Sequence, residues 1–214
     1  AACYKLKFNT IPDGINTIQS YCFQSNAFTA FTIPSSVTKI ENSAFTSTKL
    51  ISMTIPDTVK SIDAGILSSC LSLTSVKLPT HITTLPASIF YGCHNLPSFS
   101  FPPNVTSIGN NAFRECKRLV DLEFPSNLKT IGTGVFMYCE TFSEVNFPES
   151  LNSIGSESFE FSMLTKINIP SNVKIISRSL FYFCINLKTC IIPEGPYYFG
   201  SNDFARCISL ENFS

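Results

Sequence analysis

Cysteine and histidine are the residues of this 214-residue chain whose chemistry could support catalysis or metal binding. The chain has nine cysteines and two histidines, His81 and His94, and one of each is adjacent, at Cys93 and His94. A cysteine beside a histidine could act as a nucleophile with its base, but the side chains of adjacent residues generally point apart. The sequence also has no glycine-rich phosphate loop, His-x-x-x-His pair or nucleophile elbow. We therefore predict no catalytic residues and no enzyme activity, unless a catalytic domain lies outside this sequence.

Most of the cysteines recur at one position of a repeating pattern, fifteen residues after the start of a repeat. These are Cys70, Cys93, Cys116, Cys139, Cys184 and Cys207. A metal site needs convergent ligands, and a disulfide needs facing Cβ vectors, whereas stacked repeats hold their side chains parallel. We favour free thiols over disulfides or a metal, and predict no cofactor. Three repeats lack the cysteine, and we expect their one-residue shortening to have removed it.

The repeat is marked by an apolar residue followed by proline, at intervals of 22 or 23 residues. A period in this range indicates a solenoid. The repeats start at residues 11, 33, 55, 78, 101, 124, 147, 169 and 192, after a partial unit at 1–10. We therefore predict a single domain over 1–214. Because neither end shows the polar cap that a free-standing solenoid needs, we expect this domain to be part of a longer protein.

One short strand per repeat is predicted from apolar–polar alternation, as at 76–78 and 167–169. The proline that follows ends the strand because it has no N–H to give to a ladder. Stacked in parallel, these strands would make one sheet. A phenylalanine twelve residues after the repeat start recurs in most units and predicts a continuous aromatic column in the core.

Charge and hydropathy exclude two classes of partner. Lys plus Arg and Asp plus Glu are 15 each, so the chain lacks the basic surface that nucleic acid requires. No run of 18 apolar residues is present, so we predict no membrane insertion, and the first residues do not resemble a signal peptide. Two Asn-x-Ser/Thr sequences begin at Asn104 and Asn212; only Asn104, in a polar turn, suits a glycan.

The unit from Cys93 to Phe113 fits the pattern Cys-x-x-Leu-x-x-Val-x-Leu-Pro-x-x-Val-x-x-Ile-Gly-x-x-Ala-Phe. It resembles the treponemal-type class of leucine-rich repeats found in BspA-like surface proteins. The resemblance covers nearly the whole chain and departs from the pattern at Asn9, Pro196 and Phe199. It implies an α/β-type solenoid, a right-handed leucine-rich-repeat superhelix with a concave parallel sheet and short helical or irregular convex arms. It also implies surface proteins that bind host matrix proteins or neighbouring microbes.

We expect a protein partner to dock on the outward side chains of the strands. Ten strands at about 4.8 Å and a width of about 15 Å give a floor of roughly 700 Å², close to the 800 Å² or so per partner of a standard protein interface. The predicted partner-binding residues are Ser75, Lys77, Ser98, Ser100, Asp121, Glu123, Glu144, Asn146, Lys166 and Asn168.

The carboxylates of Asp121, Glu123 and Glu144 cluster on this predicted surface. This cluster has three possible interpretations: a solvated face, a patch that steers a basic partner, or a calcium site. The predicted function is an adhesin-type module at the cell surface or secreted, which binds an extracellular-matrix or microbial surface protein. A cytoplasmic scaffold or the regulatory domain of an enzyme remains the alternative, since free thiols suit a reducing compartment.

Overall fold

The computed structural model describes residues 11, 12, 14–194 and 198–213, with the backbone alone for Asp121. The partial unit 1–10, Cys3, Asn9 and Pro196 lie outside the described residues. The described part contains 17 short parallel strands in two columns. In chain order they are β1 (Thr17–Ile18), β2 (Lys39–Ile40), β3 (Ser52–Thr54), β4 (Ser61–Ile62), β5 (Ser75–Lys77), β6 (Thr84–Leu85), β7 (Ser98–Ser100), β8 (Ser107–Ile108), β9 (Asp121–Glu123), β10 (Thr130–Ile131), β11 (Glu144–Val145), β12 (Ser153–Ile154), β13 (Lys166–Asn168), β14 (Ile175–Ile176), β15 (Thr189–Ile191), β16 (Tyr198–Phe199) and β17 (Asn212–Phe213).

The first column contains the strands predicted from alternation: β3, β5, β7, β9, β11, β13, β15 and β17. A proline follows soon after most of them, which keeps them two or three residues long. Within the described residues their ladders join β3 to β5, β7 to β9, and β11 through β13 and β15 to β17. The prediction of one continuous sheet is therefore wrong in this respect, because the column consists of three ladders in succession.

The second column was not predicted. It contains β1, β2, β4, β6, β8, β10, β12, β14 and β16, each two residues long. Its ladders are also parallel, and the register in the middle of the column pairs Thr130 with Ser107 and Ile131 with Ile108. Each coil of the solenoid thus has two extended segments, one on each side of the core.

Of the two alternatives for the arms, helical or irregular, the helical one is wrong, as is the α/β class, because the described residues form no helix. Each arm instead turns through two residues with positive φ, ten and fourteen residues after the repeat start, such as Gly134 and Tyr138. A left-handed residue interrupts a right-handed helix before its first turn is complete. The molecule is a parallel-strand β-solenoid of the leucine-rich-repeat type. Its right-handed coil and its concave face stay predictions.

The core contains the predicted aromatic column, interrupted once at Leu67, together with aliphatic side chains such as Val105, Ile131 and Leu151. Phe113 and Phe136 stack with ring centroids 5.8 Å apart, and Phe136 and Phe159 follow at 5.4 Å. Backbone hydrogen bonds run from coil to coil beside the rings, as from the N–H of Phe113 to the carbonyl oxygen of Val135 at 3.1 Å. Each coil therefore covers the apolar side of the previous one, as expected of a solenoid.

Candidate functional site

The side chains of the first strand column alternate between the core and solvent. Met53, Phe99 and Ile167 are buried at the centres of their strands, and their neighbours on both sides are exposed. We call the exposed side chains of this column the strand face. Nine of the ten predicted partner-binding residues are exposed on it: Ser75, Lys77, Ser98, Ser100, Glu123, Glu144, Asn146, Lys166 and Asn168. The tenth predicted residue, Asp121, lies in β9, where the structure describes its backbone alone.

Two carboxylates of the strand face, those of Glu123 and Glu144, are free of partners in the described part of the chain. Glu123 and Glu144 make no hydrogen bond or ion pair with any described residue. Lys166 pairs with Glu144 in the ladder register of β11 and β13, yet no ion pair joins their side chains. Among the described residues, no group of three or more His, Cys, Asp or Glu is arranged to hold a metal ion. The charged groups of this face are thus available to a partner.

A groove of about 500 Å³ lies on the strand face over β7 and β9, which pair in one ladder, and over the residues that follow these strands. Its lining includes Phe101 and Phe124, whose ring centroids are 5.5 Å apart, and Glu123. The other lining residues are Ser98, Phe99, Ser100, Pro103, Pro125 and Ser126. This groove was not predicted from the sequence. The available signal was phenylalanine before proline where other repeats have Ile or Leu.

The residues that start the repeats are buried to different extents, and the groove lies where two of them are less buried. Ile55 and Leu78 are 2% and 4% exposed, whereas Phe101, Phe124 and Phe147 are only half-buried. A phenyl ring is longer than an aliphatic side chain, so part of it reaches past the strand to solvent. The three rings follow one another at 5.5 and 5.7 Å.

The six recurring cysteines lie at the same place in their coils, and all eight described cysteines are free. Each of the six thiols donates to a carbonyl oxygen of the preceding coil, as Cys116 does to Phe90 at 3.2 Å. Cys93 is fully buried, and burial raises the pKa of its thiol well above the usual value. His94 lies instead with Nε2 4.0 Å from a carboxylate oxygen of Glu115. The adjacent Cys93 and His94 therefore do not form a nucleophile and base.

The expectation that shortened repeats lose the cysteine position is wrong. Thr48 and Ser162 occupy it, both buried, and their hydroxyls lie 3.2 and 3.4 Å from the thiols of Cys70 and Cys184. A hydroxyl can replace a thiol there because both are small groups that donate one hydrogen bond. The missing residue of these repeats lies later in the turn.

Aromatic rings also stack on the surface of the turns, and this stack was not predicted from the sequence. Tyr138 and Phe161 stack at 4.9 Å, and Phe161 and Phe183 stack at the same distance. All three residues have positive φ, between 56° and 60°. The guanidinium of Arg114 lies 5.7 Å from the Tyr138 ring and that of Arg206 lies 5.9 Å from the Phe183 ring. Because the ring faces cover one another, this stack offers mainly ring edges to solvent.

The two potential glycosylation sequences differ in their setting. Asn104 is exposed in a turn, and its side-chain amide donates to the carbonyl oxygen of Thr80 at 3.1 Å. Asn212 is exposed in β17, in the strand column of the predicted docking surface, and Ser214 of its sequence lies outside the described residues. Glycosylation of Asn104 stays a prediction.

Two parallel strand columns around a repeating aromatic core define a leucine-rich-repeat solenoid. The BspA type leucine rich repeat region family matches residues 1–120 and 106–214, with six copies of its repeat, and the chain belongs to this family. No curated protein matches the chain. None of the described residues forms a helix that is long and apolar enough to span a membrane.

Solved structures of bacterial leucine-rich-repeat proteins are similar to this chain. One from Bacteroides ovatus is 26% identical with a TM-score of 0.76, over 94% of this chain and 58% of its own. One from T. pallidum is 28% identical with a TM-score of 0.68, over 75% of this chain and 78% of its own. A leucine rich cell surface protein from Faecalibacterium prausnitzii is 27% identical with a TM-score of 0.62, over 87% of this chain and 59% of its own. The chain thus spans less than two thirds of the Bacteroides and Faecalibacterium proteins.

Proposed function

We propose that this chain is a protein-binding module whose strand face receives the partner. The observation that carries the proposal is the combination of exposed hydroxyl, amide and charged side chains on one face, where Glu123 and Glu144 have no partner among the described residues. The backbone of short, ladder-bonded strands is already ordered, so it loses little freedom on binding, which lowers the cost of association. The proposed contact residues are those predicted from the sequence, from Ser75 in β5 to Asn168 in β13.

We further propose that the module acts as an adhesin at the cell surface, with an extracellular-matrix or microbial surface protein as its partner. Support comes from the family and from the Faecalibacterium prausnitzii neighbour, whose name describes a cell surface protein. Antibody labelling of intact cells and of permeabilised cells tests the location. Labelling that requires permeabilisation would exclude the surface role.

An intracellular interaction scaffold, or the regulatory domain of an enzyme, is the second candidate. The free state of all eight described cysteines favours it, because disulfides are rare in reducing compartments. Burial also protects thiols in an oxidising environment, so the surface role remains the preferred one. Recovery of the protein in the cytosolic fraction would support the scaffold.

Binding to a panel of purified extracellular-matrix proteins tests the proposal. A variant with Ser75→Arg and Ser98→Arg places two bulky charges on the strand face, where both serines are exposed. The control, Ser61→Arg and Ser153→Arg, places the same groups at exposed positions of the second strand column. We expect at least a tenfold loss of binding for the first variant alone. Equal binding by both variants would contradict the use of the strand face.

A further inference from the structure

We propose that the groove over β7 and β9 binds an extended peptide segment of the partner that carries a large apolar side chain beside a lysine or arginine. This inference rests on the proposed function and names the chemistry of the partner. Three features of the described residues lead to it: the shape of the groove, its charge, and its difference from the other hollows of the strand face.

The shape suits a single large apolar side chain. The volume of about 500 Å³ lies within the range in which proteins hold small ligands, roughly 300–1,000 Å³. The half-buried rings of Phe101 and Phe124 give the floor, and Pro103 and Pro125 extend it with apolar surface. An inserted aromatic or aliphatic side chain would remove these ring surfaces from water, which favours binding in proportion to the area covered.

The charge of the groove selects a cationic neighbour for that side chain. Of the described lining residues, the charged one is Glu123, and its carboxylate is exposed and has no partner among the described residues. The carboxylate of Glu144, on β11, also has no partner among the described residues. The cations of the strand face, Lys77 and Lys166, do not line the groove. A lysine or arginine beside the inserted side chain would therefore meet a carboxylate and no competing cation.

The rim of the groove suits an extended backbone. Ser98, Ser100 and Ser126 line it and present hydroxyls, which can both donate and accept hydrogen bonds. A peptide lying across the strand face offers N–H and carbonyl groups at intervals of about 3.3 Å per residue. The hydroxyls can satisfy such groups where the peptide backbone leaves water.

Other hollows of the strand face lack this combination. One of about 300 Å³ lies near Phe31 and Ser52 and has no charged lining residue. Another, between Glu144 and Lys166, has a volume of only about 50 Å³ and contains both signs of charge. Of these three hollows, the groove over β7 and β9 is thus the one that has both a large volume with apolar lining residues and charged lining residues of one sign.

The test begins with selection from a displayed library of random ten-residue peptides on the immobilised full chain. We expect the enriched peptides to place Lys or Arg next to Phe, Tyr, Trp, Leu, Ile or Met several-fold more often than the starting library. Enrichment of acidic or uncharged peptides would overturn the proposal, as would the absence of any enrichment over a blank surface.

A fluorescent copy of the most enriched peptide then locates its site by anisotropy titration. We expect Glu123→Gln to weaken binding at least fivefold at low salt, and Phe124→Leu to weaken it at least threefold. The fold tolerates leucine at this place because Leu78 starts another repeat, and thermal unfolding verifies that both variants are folded. Glu140→Gln removes a carboxylate from a turn, where it pairs with Lys117 at 2.7 Å, and should leave the affinity unchanged.

A third variant distinguishes an error in the groove proposal from an error in the proposed function. Ser52→Arg obstructs the strand face away from the groove. A peptide whose binding is abolished by Ser52→Arg but unaffected by Glu123→Gln and Phe124→Leu would overturn the groove and leave the strand face as the docking surface. A peptide unaffected by all three substitutions would overturn both proposals.

Discussion

Phe113 and Phe136 stack nearly parallel, with ring centroids 5.8 Å apart and an angle of 11° between the planes. Both rings are fully buried, and they belong to coils that are consecutive in the chain. The stack continues through Phe159 and Phe181, at 5.4 and 5.8 Å. The side chains that join one coil to the next are therefore the ones that fill the core, so core packing and repeat register depend on each other.

Truncation of a ring in this column should destabilise the whole chain. Phe136→Ala removes contacts with rings of the coils on both sides, and we expect a loss of about 3–5 kcal/mol in the free energy of unfolding. Urea unfolding measures it. The control Ile208→Ala alters a side chain that is 80% exposed, and should change stability by less than about 0.5 kcal/mol. Similar losses for the two variants would contradict the aromatic column as the core.

The buried thiols should resist modification in the folded chain. Burial raises the pKa of Cys184 and Cys190 to about 12 and that of Cys207 to about 11. Near pH 8 they are therefore almost entirely protonated, and the thiolate is the reactive form. We expect labelling by iodoacetamide to be slow at the fully buried Cys116 and faster at the half-buried Cys207. Peptide mass spectrometry over time measures both rates, and equal rates would contradict this assignment.

Asp203 should make the last described coil sensitive to pH. Its side chain is 4% exposed, stands where Leu180 stands one coil earlier, and has no hydrogen-bond partner for either carboxylate oxygen. Burial raises the pKa of this carboxyl, and the nearby backbone N–H groups of Leu180, Gly200 and Ser179, none of which makes a hydrogen bond to it, oppose the effect only in part. A raised folded-state pKa means that the neutral form stabilises the fold below the unfolded-state pKa of about 3.9. That stabilisation is lost as pH rises through the folded-state value.

We therefore expect Asp203→Asn, which cannot ionise, to be more stable than the wild type near pH 7, by an amount that shrinks as pH falls to about 4. Asp203→Ala, which resembles Ala112 at the same repeat position, should gain about 1–3 kcal/mol near pH 7, since it removes an unsatisfied buried group. Thermal unfolding over this pH range measures both. A difference from the wild type that does not vary with pH would show that folding does not shift the pKa of Asp203, which would contradict this account.

The aromatic stack on the turns should couple neighbouring coils. Earlier coils carry Ser25, Ser47 and Ser69 at the same left-handed position, so serine is the natural replacement. A double-mutant cycle of Tyr138→Ser and Phe161→Ser should give a coupling energy of about 0.5–1.5 kcal/mol, the usual value for an aromatic pair. The cycle of Tyr138→Ser with Phe183→Ser joins rings two coils apart and should give a coupling near zero. Equal couplings in the two cycles would contradict direct stacking.

The sequence predicted the features that recur with identical chemistry. Alternation around Val76 and Ile167 gave the strands of the first column, and the recurring phenylalanine gave the core. The second column could not be found in this way, because Thr130 and Ile131 alone are too short a run to show alternation. The helical arms were expected from the family, whereas the left-handed residues at Gly134 and Tyr138 prevent a helix.

The docking surface was predictable only in outline. The outward positions of the strands follow from alternation, so Ser98 and Glu123 could be placed on one face before the structure was known. The groove beside them depends on how far the rings of Phe101 and Phe124 reach past the strands, which composition and spacing do not specify. The tyrosine and phenylalanines at left-handed positions are equally unexpected, since bulky residues rarely adopt positive φ.

Backbone amide hydrogen exchange tests the central claim, that a protein partner docks on the strand face, most directly. Exchange is measured on the full chain with and without the matrix protein of the panel that binds it most tightly. We predict slower exchange in the bound state at β5, β7, β9 and β11, and unchanged exchange at β6, β8, β10 and β12. Slower exchange confined to the second strand column or to the turns at Tyr138 and Phe161 would contradict the account.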